Sequence, residues 1–109
     1  MIGSPEPFKL ARLRAKTDRQ LFDFIDHGLM RGLTLARIAE AFYALRDPEH
    51  GVEAQTKAAR AYEECGVLLW CVESLGADRK RQLEQRHEEL REVLSRLSER
   101  RGATANAAA

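Results

Sequence analysis

Along residues 21–42 the apolar positions Leu21, Ile25, Gly28, Gly32, Leu35, Ala39 and Phe42 follow one another in steps of four and three. That spacing belongs to a helix that shows one face to a partner; a strand would alternate every second residue. Thr17-Asp18-Arg19-Gln20, just before it, has the form of a capping box, so the first helix is expected over about residues 18–46. Gly28 and Gly32 each weaken such a helix by about 1 kcal/mol relative to Ala, and a bend would fall there if anywhere. Ala54, Ala58, Ala61, Cys65, Leu68, Val72 and Leu75 repeat the same steps. Between the two runs, Asp47-Pro48 stops one helix and starts the next, because Pro disfavours a helical residue before it and suits the first helical position. A second helix is expected over 48–75. Leu75-Gly76-Ala77-Asp78 then supplies a C′ glycine and a fresh cap. A third helix over about 78–100 carries Leu83, His87, Leu90, Leu94 and Leu97.

Three helices with short connections predict an all-α, up-down-up bundle built on a long antiparallel hairpin. Folding the chain back about residue 49 sets Phe42 near Ala54 and Ala58. It also sets Gly28 and Gly32 near Cys65, Leu68 and Leu69, so large faces small at both ends. Gly28, Gly32, Ala54, Ala58 and Ala61 are therefore the expected close-packing positions. Residues 1–16 open with Gly, Ser and two Pro and read as a basic, loosely ordered arm, and residues 102–109 as a disordered tail. The bundle proper is expected over 17–101.

The pattern leaves apolar surface over. Helix 1 has flanks on both sides of its seam: Phe24, Ile38 and Leu45 on one, Phe22, Leu29, Ala36 and Tyr43 on the other. A helix so built is touched from two directions. The end of helix 2, Gly66 to Val72, is apolar on almost every side, while helix 3 offers one thin stripe among its charges. Either helix 3 and the arm residues Phe8, Leu10 and Leu13 cover the surplus, or a second chain completes the bundle. Phe22, Met30, Leu33, Val67, Trp70 and Cys71 are the expected partner interface, with Trp70 as anchor. A homodimer or a helical protein partner follows from that reading.

Composition narrows the class. Sixteen Ala and fourteen Leu against three Ile and four Val favour helix and argue against a sandwich or barrel. A net charge of +1 with 44% hydrophobic residues argues against global disorder and against an overall nucleic-acid footprint. No apolar run reaches membrane-spanning length, and two cysteines six apart make no disulfide framework, so a reducing cytoplasm is the expected setting.

Candidate chemistry changes the picture little. Glu84-Gln85-Arg86-His87 is a Glu-x-x-His pair, which di-iron carboxylate bundles use twice together with two further Glu. A dimer would have to supply the second copy, so no metal or cofactor is expected. Cys65 and Cys71 lie on different sides of one helix and cannot share an ion. His50 reads as a turn residue. No nucleophile–base set and no Gly-rich phosphate loop is present, so the chain is not expected to be an enzyme. Lys9, Arg12, Arg14, Lys16 and Arg19, interleaved with Phe8, Leu10 and Leu13, leave an accessory nucleic-acid binder as the first alternative, and a metal-binding helical enzyme assembled as a dimer around the Glu-x-x-His as the second.

Two short stretches resemble known families. Gly32-Leu33-Thr34-Leu35-Ala36-Arg37-Ile38-Ala39-Glu40, followed by Ala44-Leu45-Arg46-Asp47-Pro48-Glu49, resembles the helical region that follows the DNA-binding head of MerR-type regulators. The head itself is missing, so its DNA-contacting residues have no positions here. Ala39 to Phe42, the Asp-Pro turn, then Ala54, Ala58 and Ala61-Tyr62 are similar to one hairpin of tetratricopeptide or microtubule-interacting-and-transport domains. That likeness implies binding of peptides or helices in interhelical grooves; no 34-residue period repeats, and three helices suit the second family better. The expectation is a small helical protein–protein interaction or oligomerisation module.

Overall fold

Three α-helices, α1 (Glu6–Ala44), α2 (Pro48–Cys71) and α3 (Ala77–Ala108), account for the fold, and no strand occurs among the described residues. The structure, a computed structural model, describes the backbone of residues 6–72 and 75–108 and the side chains of residues 17–70, 72 and 75–100. Contacts give the topology directly. Gly28 faces Cys65, Gly32 faces Ala61 and Gly51 faces Tyr43, so α1 and α2 run antiparallel. Gly66 meets His87 and Gln55 bonds Ser98, so α3 runs back against α2. Asp26 pairs with Arg86 and Gly32 meets Leu90, so α3 is parallel to α1. The bundle is up-down-up and all-α.

Helix ends depart from the sequence expectation. α1 begins at Glu6 rather than near 18, which makes residues 6–16 helical rather than a loose arm. Leu, Ala, Arg and Lys there are all strong helix formers, and extending an existing helix is far easier than nucleating one. Thr17 thus lies inside α1 and not at a cap. For the same reason the alanine-rich tail continues α3 to Ala108 instead of ending at Gly102. α1 passes unbroken through Gly28 and Gly32. α2 stops at Cys71, earlier than 75, where Val72 turns extended (φ −100°, ψ 105°). Gly76, at φ +82°, takes the left-handed conformation immediately before α3 and not directly after α2.

The turn between α1 and α2 closes α1 with a Schellman motif. Asp47 N–H donates to Phe42 O at 2.9 Å and Arg46 N–H to Tyr43 O at 3.1 Å, with Arg46 in the left-handed region at φ 61°. A non-glycine residue is disfavoured there by about 1 kcal/mol because its Cβ crowds the following carbonyl. Arg46→Gly is therefore expected to stabilise the fold by about 1 kcal/mol, read as a higher urea midpoint at constant slope. α2 restarts at once. Asp47 is its N-cap and accepts from His50 N–H at 3.3 Å, with Pro48 at the first helical position. Asp47 Oδ2 also lies 2.7 Å from His50 Nδ1, and this bond holds the exposed imidazole above its ordinary pKa. The His50 ring stacks on Phe42.

Buried side chains form one core: Ile25, Leu29, Leu33, Ala36 and Ala39 from α1, Ala54, Ala58, Cys65, Leu69 and Val72 from α2, and Leu83, Leu90 and Leu97 from α3, with Leu75 at the turn. α3 enters as a single stripe with a seven-residue period, the narrowest a helix can present. The innermost line of α1 is displaced from the expected seam toward Leu29 and Ala36, because α1 is touched by α2 on one side and α3 on the other. Gly32 lies where all three helices meet. A Cβ there would be 2.7 Å from Leu90 Cδ2 and 3.2 Å from Ala61 Cβ.

Candidate functional site

The α1–α2 hairpin has two faces. One carries α3, held by polar ties as well as by the core: Tyr43 OH donates to Gln55 at 2.6 Å, Gln55 donates to Ser98 at 3.3 Å, and Asp26 pairs with Arg86. The opposite face carries no element among the described residues and opens into a groove of about 480 Å³. Gly28, Leu35, Ala61, Cys65 and Leu68 form its floor, and Phe24 stands at one end, 66% exposed. The small residues that let α1 and α2 approach each other make the floor shallow.

Charges stand along the groove's rim. His27 and Arg31 project from α1, and Lys57, Arg60 and Glu64 from α2. Lys57 is engaged by Glu53 at 3.5 Å. Arg31 and Arg60 each precede a residue of the Gly32–Ala61 contact, so they line the groove from opposite helices within about one turn of each other. Neither makes an ion pair with a described residue. Cys65 lies under the rim with its thiol against Ile25 O at 3.8 Å. Burial, and then Glu64, push its pKa up, which keeps it a protonated thiol and a poor nucleophile at neutral pH.

The expected interface residues do not form one patch. Leu33, only 8% exposed, belongs to the core. Phe22 is half-buried against the core, with the Arg79 guanidinium of α3 5.8 Å above its ring. The sequence pattern puts both at a partner interface because the position of α3 around α1 does not follow from the α1 pattern. Met30, 47% exposed, lies about 200° around α1 from Gly28 and so points away from α2. Val67 and Trp70 are exposed together on the outer side of α2, at 64% and 87%. The Cys71 side chain lies outside the described residues, as do the side chains of Phe8, Leu10, Leu13 and the basic residues Lys9, Arg12, Arg14 and Lys16.

At its edge toward α3 the exposed Trp70 indole borders a crevice with Gly66, Leu69, Lys80, Glu84 and His87. His87 Nε2 is 3.0 Å from Tyr62 O, and its ring stacks on Tyr62 at 4.1 Å and 5°. The carbonyl can only accept, so Nε2 carries a proton and is closed to a metal. Asp26, near His27, is committed to Arg86. Among the described residues no group of three or more His, Cys, Asp or Glu is brought together as a metal site. No helix among them is long and apolar enough to cross a membrane.

Sequence reasoning passed over the groove's cations. Arg31 and Arg60 read singly as solvated polar positions. The signal that marks them is that each is next in sequence to a close-packing residue, Gly32 or Ala61, and so must border the hairpin contact. Comparison with protein-family models, with curated proteins and with solved structures finds no match for this chain.

Proposed function

We propose that this chain is a helical protein–protein contact module without catalytic activity of its own, and that it self-associates through the end of α2. The carrying observation is the exposure of Trp70 and Val67 side by side. Val67 and Trp70 lie three residues apart, about 60° around α2, so the two side chains share one exposed face near the end of that helix. A tryptophan exposed beside an apolar neighbour is uncommon on a monomer and is a usual anchor of an interface. Light scattering at micromolar concentration tests the reading. Wild type is expected above the monomer mass and Trp70→Glu at it. Two monodisperse monomers with equal thermal stability would overturn it.

A further inference from the structure

The groove on the face away from α3 is a second surface, distinct from the Trp70 end, and its chemistry selects a partner. Trp70 lies about 200° around α2 from Leu68, so a contact at one leaves the other open. We propose that the α1–α2 groove binds an acidic amphipathic helix, which would complete the three helices as a four-helix bundle. Three observations converge on that occupant.

The first is shape. The groove runs between two antiparallel helices and has a floor of small and aliphatic residues, with Leu35 and Leu68 as its larger members. A helix laying an apolar stripe into such a trough is a recurrent recognition mode. The second is charge. Arg31 and Arg60 line the groove from its two helices, neither in an ion pair with a described residue, and with Lys57 they face a single acid among the lining residues, Glu64. Like charges held across a groove are relieved by an anion between them, and guanidinium pairs carboxylates in bidentate geometry. The third concerns a second copy. A two-fold contact through this face would set the Arg31 and Arg60 rim against itself, so self-association is disfavoured here where an acidic partner is favoured.

The bound helix would place leucine-like side chains over Leu35 and Leu68 against Phe24. Its flanking carboxylates would reach Arg31 and Arg60. The test uses two fluorescein-labelled 18-residue peptides, each with Leu at i, i+3, i+4 and i+7 spacing. One carries Glu at the remaining positions and the other carries Lys. Fluorescence anisotropy with the full chain is expected to show binding of the Glu peptide in the micromolar range, at least tenfold tighter than the Lys peptide. The double variant Arg31→Glu/Arg60→Glu is expected to reverse that order while keeping the wild-type circular dichroism spectrum and the wild-type mass by light scattering. Leu68→Gln, which leaves the charges in place, is expected to weaken the Glu peptide about tenfold. Equal affinity for the two peptides, no binding of either, or an unchanged preference in the double variant would overturn the proposal. None of those results bears on the Trp70→Glu measurement, so the two readings fail separately.

Discussion

Leu90→Ala should lower the stability of the bundle by about 3 kcal/mol, within the range found for truncating a fully buried leucine. Leu90 is wholly buried, and its Cδ2 fills the space that the missing Cβ of Gly32 leaves in α1. That contact makes the prediction sharper than a loss of apolar area. Gly32→Ala alone gains about 1 kcal/mol of helix propensity. Its new methyl, however, starts 2.7 Å from Leu90 Cδ2 and 3.2 Å from Ala61 Cβ, and overpacking of this kind costs about 1–3 kcal/mol. The single substitution is therefore expected to destabilise. In the Leu90→Ala background the same methyl enters vacated space, keeps its propensity gain, and meets only Ala61. The double variant should thus be more stable than the two singles imply, with a coupling of about 1–2 kcal/mol. Urea titration of the four proteins measures it. Strict additivity would mean that Leu90 and Gly32 do not share one packing site.

The same junction shows what the chain pattern could and could not specify. Alternating steps of four and three were enough to place α1, α2 and the stripe of α3, and pairing Gly28 with Cys65 followed from folding the hairpin about its turn. Both depend on local periodicity and on one reversal of the chain. The position of α3 around the hairpin depends on neither. α3 approaches α1 on the side of Leu29, Leu33 and Ala36, which takes Leu33 into the core and leaves Met30, about 60° further round the helix, half in solvent. No feature of the α1 sequence separates those two residues. Helix ends differ for another reason. Thr17 and Gly102 carry boundary signals, but neighbouring helix formers let both helices run past them. The groove was illegible because it is a property of two helices together: Arg31 and Arg60 acquire meaning only once Gly32 and Ala61 are in contact.

His87→Ala should cost about 2 kcal/mol of stability, which would make the histidine of the Glu-x-x-His a packing residue rather than a ligand. Its imidazole lies parallel to the Tyr62 ring at 4.1 Å, an arrangement worth about 0.5–1.5 kcal/mol beyond buried area. Its Nε2–H donates to Tyr62 O at 3.0 Å, which adds about 1 kcal/mol. The two interactions join α2 to α3, where the leucine stripe of α3 is interrupted between Leu83 and Leu90. Glu84 is exposed and the ring's partner is Tyr62, so Glu84→Gln should leave stability unchanged where a shared metal site would not. His87→Phe separates the two contributions. It preserves a flat ring over Tyr62 but cannot donate, and should recover about half of the loss. Thermal unfolding of these variants with and without added Zn²⁺ is the deciding measurement. A metal-dependent rise in Tm for wild type that disappears in both His87→Ala and Glu84→Gln would restore the ligand reading. A ring that acts by stacking and by one donated bond gives the same Tm with and without the metal.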